Sequence, residues 1–153
     1  MIHDYICKNN FYQYDESGKP DSSIASHSIV GIADMNPSTG GVCECYAKVY
    51  LYLSNLIDLE SIIVIGVTHE DGSGGHAWNY TKIDGKWYGV DSTWDDQDKK
   101  IYHDFFLASS DFMAHSSKRW DNAMHIPGES DYTLDPNFFQ VKTPELADSS
   151  YIA

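Results

Sequence analysis

The sequence predicts an α+β fold in which a long apolar helix is followed by a strand and a β-hairpin. Residues 43–57 are apolar on nearly every side, as in a helix that lies in a protein core. Residues 61–68, "SIIVIGVT", form a β-branched run of strand length. Asp84 and Gly85 then separate two aromatic and β-branched segments, which is the strongest short-range signal of a hairpin.

Two helices are expected in the first third of the chain. Residues 2–10 place their apolar side chains with the spacing of a short amphipathic helix that ends near Asn9 and Asn10. The helix over residues 43–57 has only a narrow polar stripe, so we expect it to be nearly enveloped. That stripe consists of Glu44, Lys48 and Asn55. Between the helices, the Ser-, Gly- and Pro-rich residues 16–41 predict a long loop, a type that is often functional.

The hairpin turn determines which residues of the two strands face each other. A two-residue type I′ turn sets Ile83 opposite Lys86. The same register, carried to the strand ends, places His76 opposite Thr93. His76 and Asp91 are then diagonal neighbours on one face of the sheet, about 7–8 Å apart at the backbone. Their side chains are therefore expected to reach each other.

Smaller elements are expected on either side of the hairpin. The continuous apolar run of residues 61–68 is typical of a strand buried on both faces, and residues 69–75 form a polar, glycine-rich loop. Later, "IYHDFFLAS" predicts a further strand, followed by a short helical turn capped by Ser110 or Asp111. A strand-like piece near Phe138–Val141 precedes a C-terminal end that we expect to fray.

The composition predicts one globular domain over residues 1–153. The formal net charge of -13, from 10 basic and 23 acidic residues, argues against binding to nucleic acid or to an anionic membrane. No segment approaches the roughly 18 apolar residues of a membrane span, and the N-terminus lacks the apolar region of a secretory signal. We expect a soluble protein and leave its compartment open, because a signal or an upstream domain can precede the abrupt start.

The cysteine pattern argues against structural disulfides and structural zinc. The chain has three cysteines, Cys7, Cys43 and Cys45, and no C-x-x-C pair. Together with the seven scattered histidines they match no common zinc spacing. We therefore expect no metal and no cofactor. The acidic residues after the hairpin lack the glycine and distal glutamate of an EF-hand loop and predict a solvated turn: Asp95, Asp96 and Asp98.

Three residues have the types and the order of a cysteine nucleophile with its base and orienting acid. A catalytic cysteine needs a histidine to take its proton, and that histidine needs a carboxylate or amide to orient it. Cys43 stands near a helix start, with His76 on one predicted strand and Asp91 on the next. A helix N-terminus contributes at most about 2 kcal/mol to lowering a thiol pKa, while catalytic thiols are shifted further, so an imidazolium is also required. Each residue alone has an ordinary structural explanation, but their joint placement favours catalysis.

The tryptophans around the hairpin have two possible roles. Trp78, Trp87 and Trp94 are more typical of a hydrophobic core than of a substrate contact. Trp78 and Trp94 flank the predicted His76 and Asp91 pair in sequence. We keep these two as candidate substrate contacts.

These motifs resemble the transglutaminase-like superfamily, a papain-like group that includes bacterial transglutaminase-core proteins. "GGVCECYAKVYLYL" resembles the family's nucleophile helix, "GGHAWNYTKIDGKWYGVD" resembles its histidine and aspartate hairpin, and "STWDD" its closing segment. The resemblance extends over most of residues 1–115. It implies that Cys43 is the nucleophile, His76 the general base and Asp91 the orienting acid. It also implies a fold in which the nucleophile helix packs against an antiparallel sheet.

The implied reaction is cysteine-dependent acyl transfer on a protein or peptide amide. A glutamine side chain would give a thioester acyl-enzyme, which an amine resolves to a crosslink and water to a deamidated product. The backbone N–H of Cys43 would contribute to the oxyanion hole, whose second donor the sequence does not identify. The same residues also serve a cysteine peptidase or a cell-wall amide hydrolase, and a non-catalytic binding module is a further alternative.

Cys45 stands where bacterial relatives often have glycine. On a helix, Cys43 and Cys45 lie about 100 degrees to either side of Glu44, so periodicity does not choose between them. Cys43 is nearer the helix N-terminus and directly follows Gly40 and Gly41. We expect Cys45 to be a packing residue.

Overall fold

The computed structural model describes residues 1–30, 40–97, 100–115, 122–128 and 143–151. These residues have the predicted α+β composition. Their helices are α1 (Ile2–Asn9), α2 (Cys43–Asn55), α3 (Ser92–Asp95) and α4 (Ser110–Ala114). Their strands are β1 (Ser61–Val67), β2 (Gly75–Ile83), β3 (Lys86–Val90), β4 (Asp96–Gln97), β5 (Lys100–Ile101), β6 (Phe106–Ala108) and β7 (Ile126–Pro127).

The larger sheet has β2 at its centre, and β2 is packed on both of its faces. Its strand order is β6-β3-β2-β1-β7, and each neighbouring pair is antiparallel. On one face, Asn79 donates to the carbonyl of Ala47 in α2 at 3.0 Å. On the other face, Trp78 and Tyr80 belong to a separate core cluster with Trp94. The strand that carries the predicted histidine is therefore fixed from both sides, and α2 packs on the sheet as predicted.

The two predicted helices are present, and the second is shorter than expected. Helix α1 ends at Asn9, as predicted. Helix α2 begins at Cys43 and ends at Asn55, two residues before the predicted end. The next side chains, Leu56 and Ile57, are 64% and 62% exposed. The expectation that this segment is nearly enveloped is wrong at its C-terminal end, because the chain turns there toward β1 outside the core.

The β-hairpin has the predicted turn and register. Asp84 and Gly85 have φ angles of 50° and 80°, as a type I′ turn requires. Ile83 pairs with Lys86, and the same register continues along both strands until β3 ends at Val90. Counting from a turn therefore predicted the pairing of ten residues.

The pairing stops one residue before Asp91, so the predicted pairing of His76 with Thr93 is wrong. The backbone N–H of Asp91 donates to the carbonyl of Phe105 at 2.8 Å instead of to β2. The next residues form α3, with Asp91 as its N-cap. A side chain that caps a helix competes with continued strand pairing, which explains the early end of β3.

Strand β1 is less buried than its apolar sequence predicts. Ile65 is 71% exposed, whereas Val64 is 3% exposed. In the described residues, β1 pairs at its outer edge with only two residues of β7. The strand is thus buried on one face at this end, and the prediction of burial on both faces is wrong. An antiparallel sheet leaves such a face open more often than a parallel one does.

The segment "IYHDFFLAS" forms two short strands instead of one. Strand β5 ends at Ile101, and β6 begins at Phe106 after a turn. Helix α4 is capped by Ser109, whose hydroxyl accepts from the backbone N–H of Phe112 at 3.3 Å, so the predicted caps, Ser110 and Asp111, are one and two residues too late. The predicted strand near 138–141 lies outside the described residues.

The acidic residues after the hairpin do not form a simple solvated turn. Asp95 is 0% exposed and accepts hydrogen bonds from His3 at 3.1 Å and from the backbone N–H of Phe105 at 3.1 Å. Asp96 is half-buried and accepts from the Tyr46 hydroxyl at 2.6 Å. The solvated-turn prediction is therefore wrong for these two acids, which α1 and α2 cover. The third, at position 98, lies outside the described residues.

The predicted loop over residues 16–41 is described only in part. Residues 16–30 consist mainly of turns and bends, and Pro20 forms an isolated bridge with Tyr14. Residues 31–39 lie outside the described part. Within the described residues, no helix is long and apolar enough to cross a membrane.

We expect Asn79→Ala to lower the free energy of unfolding by about 1–3 kcal/mol, because it leaves buried backbone carbonyls without their donor. Asn79 is 2% exposed and donates to carbonyls of both α2 and β1, at 3.0 and 3.2 Å. Urea unfolding followed by circular dichroism measures the change. Ile65→Thr, on the exposed end of β1, is the matched control and should stay within about 0.5 kcal/mol of the parent. Equal losses in both variants would contradict this role of Asn79.

Candidate active site

Cys43 is the first residue of α2 and differs in environment from the other two cysteines. Its side chain is half-buried, whereas Cys7 and Cys45 are 6% and 0% exposed. All three thiols are free. Burial raises the pKa of Cys45 to about 11 and that of Cys7 further still. The prediction that Cys45 is a packing residue is confirmed by its burial, which leaves Cys43 as the accessible thiol.

The glycine pair before Cys43 allows the chain on either side to approach closely. Gly41 forms a parallel bridge with Tyr12, in which its N–H donates to the carbonyl of Phe11 and its carbonyl accepts from Gln13, both at 3.1 Å. A Cβ on Gly40 would overlap the backbone oxygen of Phe11. A Cβ on Gly41 would overlap the side chain of Cys45 in the next turn. Glycine at position 40 therefore allows the segment with Tyr12 to lie beside the start of α2, and glycine at position 41 leaves room for Cys45.

His76 and Asp91 form a short, buried hydrogen bond. The two atoms, Nε2 of His76 and Oδ2 of Asp91, are 2.6 Å apart. The residues are 7% and 1% exposed. The hairpin register thus led to the right partner, although α3 and not the strand pairing positions Asp91.

Asp91 has backbone donors on its other carboxylate oxygen. Oδ1 accepts from the backbone N–H groups of Thr93 at 3.0 Å and Trp94 at 3.1 Å, which caps α3. Burial by itself raises the pKa of the Asp91 carboxyl, but the nearby histidines and these donors hold that pKa well below its usual range. Asp91 is therefore ionised throughout the neutral range.

His76 is held in its protonated form by its neighbours. Burial of the ring lowers its pKa, but the charge of Asp91, the hydrogen bond to it and the interactions with the Cys43 thiol raise the pKa to about 10. At neutral pH the ring is therefore an imidazolium that lies between a carboxylate and a thiol. Such an arrangement places an acid–base group beside the candidate nucleophile. The three predicted site residues are brought together.

A second histidine, His125, also contacts Asp91 and was not predicted from the sequence. Its Nε2 lies 2.8 Å from Oδ2, the same oxygen that His76 contacts. His125 is 4% exposed and lies just before β7. No spacing rule links position 125 to the hairpin, because the contact depends on how β7 returns to β1. The surrounding "MHIPG" offers only a histidine in an apolar context.

A cavity of about 1110 Å³ opens beside His76 and Tyr12. Trp94 borders this cavity and stacks on the His76 ring at a centroid distance of 5.2 Å. Trp78 also stacks on His76, at 5.8 Å, but it is 1% exposed and does not line this cavity. The substrate-contact proposal is therefore kept for Trp94, and Trp78 supports the ring from inside the protein.

Among the residues that the structure describes, two groups of ligand-type side chains lie close enough to hold a metal ion. One consists of His76, Asp91 and His125, and the other combines an α1 histidine and aspartate with a histidine of the β5–β6 turn, namely His3, Asp4 and His103. In both groups, hydrogen bonds between imidazole and carboxylate account for the short distances. Neither group requires a metal to explain its geometry.

Comparison with known proteins identifies the family of this chain. The model of the Transglutaminase-like superfamily matches residues 1–92. Among solved structures, a "Crystal structure of a TGase" is similar over 65% of this chain and 26% of that chain, with 16% identity and a TM-score of 0.48. A second, described as a "Putative Cysteine Protease from Cytophaga hutchinsonii", is similar over 65% of this chain and 30% of its own, with 20% identity and a TM-score of 0.43.

This chain spans less than a third of either protein, and at these TM-scores neither one indicates a substrate. No curated protein matches its sequence. The family match covers more than half of the 153 residues and includes Cys43, His76 and Asp91 in that order. This chain therefore belongs to the transglutaminase-like superfamily.

Proposed function

We propose that this protein catalyses cysteine-dependent acyl transfer on protein or peptide amides, with Cys43 as nucleophile. The observation that carries the proposal is the buried His76–Asp91 pair, 2.6 Å apart, with its imidazolium against the one accessible thiol. Family membership supports the same chemistry in coarser form. An imidazolium and a carboxylate are both costly to bury, so their presence beside the half-buried Cys43 thiol supports a catalytic role more than a structural one.

The proposed reaction has two steps. The Cys43 thiolate attacks the carbon of a carboxamide, such as a glutamine side chain, and a C–S bond forms. The C–N bond then breaks, and the His76 imidazolium gives its proton to the leaving ammonia. In the second step an amine or a water attacks the thioester, His76 takes its proton, and the Cys43 thiolate leaves. The products are a new amide with an amine, or the carboxylic acid with water.

The oxyanion of each step needs donors beside the attacked carbon. The backbone N–H of Cys43 at the start of α2 is one candidate, and the hydroxyl of Tyr12 lies against this same N–H. Burial and the charge on Cys43 keep the Tyr12 pKa above its ordinary value, so the hydroxyl keeps its proton and can donate it. Tyr12 thus supplies the second donor that the sequence left open.

We expect wild-type protein to incorporate a primary amine into a glutamine-containing peptide, with a mass gain equal to the amine minus ammonia. Cys43→Ala removes the nucleophile and should abolish the gain. Cys45→Ala, with a change at the buried thiol of the same helix turn, is the matched control and should keep most of it. Mass spectrometry of the peptide measures all three. Cleavage of the peptide backbone without amine incorporation would instead indicate a cysteine peptidase or amide hydrolase.

A non-catalytic binding module predicts a different result. If Cys43 reacted with iodoacetamide no faster than free cysteine near neutral pH, and His76→Ala left that rate unchanged, the activated nucleophile would be ruled out. The binding-module alternative would then account for the geometry of the site.

We expect Asp91→Asn to lower kcat by about 100-fold or more and to move the high-pH limit of acyl transfer, which needs the His76 imidazolium as acid, to lower pH. Asp91 raises the pKa of His76 to about 10, so the imidazolium persists up to that pH and is lost above it. Without the carboxylate charge, that pKa falls toward the ordinary value near 6.5. Asn also caps helices well, so α3 should be retained. An unchanged high-pH limit in the pH profile of acyl transfer would contradict this role of Asp91.

We expect Tyr12→Phe to lower kcat for acyl transfer by about 100-fold, as for loss of one oxyanion donor. Alkylation of Cys43 by iodoacetamide is a displacement that forms no oxyanion, so its rate should not change. The two rates, measured on the same preparation, separate transition-state stabilisation from damage to the nucleophile. Tyr14→Phe, whose ring lies 5.0 Å from that of Tyr12, is the matched control and should leave both rates unchanged. A parallel fall of both rates in Tyr12→Phe would assign Tyr12 to packing.

A further inference from the structure

His125 occupies a position that the rest of the site leaves unexplained. It lies outside the residues that match the family model, 1–92. Its backbone N–H donates to the carbonyl of Met113 in α4 at 3.0 Å, and the next residue, Ile126, pairs with Val67 of β1. Two separate parts of the chain therefore fix the His125 backbone, and its ring points to a carboxylate 34 positions earlier.

The contact with Asp91 defines which nitrogen of His125 carries a proton. Nε2 lies 2.8 Å from Oδ2 of Asp91, and that oxygen, on an ionised carboxylate, can only accept. His125 therefore donates from Nε2. His76 donates from its own Nε2 to the same oxygen at 2.6 Å. One carboxylate oxygen is thus shared by two imidazole donors.

The two histidines differ in charge. Burial lowers the pKa of His125, and the positive charge of His76 lowers it further, although the hydrogen bond to Asp91 opposes this effect. His125 is therefore neutral at neutral pH, while His76 is protonated. A neutral donor holds the oxygen in place and draws on its electron density, but it does not cancel the carboxylate charge as a second cation would.

His125 does not face the cavity beside His76. It borders a different cavity, of about 670 Å³, together with Tyr80 and Met113. The ring is also packed among aromatic side chains, with Trp94 at a centroid distance of 4.2 Å and Phe105 at 5.1 Å. It contacts the site through its hydrogen bond to Asp91, and its ring also lies 5.8 Å from the His76 ring.

We propose that His125 is a positioning residue, which holds Oδ2 of Asp91 at the His76 ring and limits how strongly Asp91 raises the basicity of His76. The proposal rests on the proposed function only in that it assigns His76 as the partner of Cys43. The titratable groups that act on His76 are Cys43, Asp91 and His125. Asp91 also interacts at longer range with Tyr12 and Asp95. Among these groups, His125 is the one that donates a hydrogen bond to the same Asp91 oxygen as His76 does.

The first test needs no variant. In the wild-type protein, ¹H–¹⁵N spectra of the histidine rings should show His125 as a neutral Nε2–H tautomer, with a slowly exchanging proton, from about pH 6 to 9. His76 should stay protonated over the same range. A neutral Nδ1–H tautomer of His125, or its protonation near the ordinary pKa of about 6.5, would overturn the proposal.

The second test compares two replacements of His125. His125→Gln keeps an N–H donor near the position of Nε2, whereas His125→Phe keeps the ring and removes the donor. We expect the Phe variant to raise the pH at which His76 loses its proton by about half a unit or more and to lower kcat about tenfold at unchanged KM. The Gln variant should restore kcat to within about threefold of wild type. It should also return the pH at which His76 loses its proton to the wild-type value. Met113→Leu, a packing change in the same cluster, should move neither value.

The readouts separate this proposal from the proposed function. The pH at which His76 loses its proton is measured from its ring signals, which require no acyl substrate. A wild type with the predicted tautomers but no acyl transfer would overturn the proposed function alone. Should the Phe and Gln variants show the same pH of proton loss from His76 and the same kcat as each other, His125 serves packing only and the positioning role is wrong. If the Phe variant does not fold, the Gln variant and the wild-type spectra still decide.

Discussion

A single buried carboxylate imposes the main constraint on this structure. Asp91 is 1% exposed, and an ionised carboxylate at such a position is stable only if several donors replace its water. Two backbone N–H groups of α3 donate to one carboxylate oxygen, and the rings of His76 and His125 donate to the other. To provide these donors, the chain must leave β3, begin α3 and return later through β7. The charge requirement of one side chain therefore connects three regions of the fold.

The site combines side chains from elements on both faces of β2. Helix α2 packs on one face of β2 and carries the thiol at its first residue. The aromatic cluster on the other face holds the His76 ring between Trp78 and Trp94. A strand that is packed on both faces has little freedom to move, which favours a fixed geometry between thiol and imidazole. His76 and Tyr12 together line the cavity beside the site.

The local motifs were predictable because each depends on residues that are near in sequence. The type I′ turn follows from the left-handed conformations that Asp84 and Gly85 adopt, and the register up to Val90 follows from that turn. The same counting failed beyond Val90, since capping of α3 replaces strand pairing there. Burial was predicted less well: Ile65 is exposed at 71%, although its sequence context is fully apolar. An apolar sequence allows a strand to be buried, but the elements that pack against the strand determine which of its side chains are buried.

By itself, the sequence determined the α+β class, the start of α2 at Cys43 and the hairpin, because these depend on helix periodicity and turn geometry. It also predicted His76 and Asp91 as partners from the order of three side chains, although α3 and not the strand register positions Asp91. The tertiary structure alone decided the burial of Asp95 under α1, the approach of Tyr12 to the start of α2 and the second histidine on Asp91. Each of these joins residues that are tens of positions apart, and a long chain closure leaves no periodic trace in the sequence. Their common physical cause is that buried charges and backbone groups must find donors wherever the fold brings them.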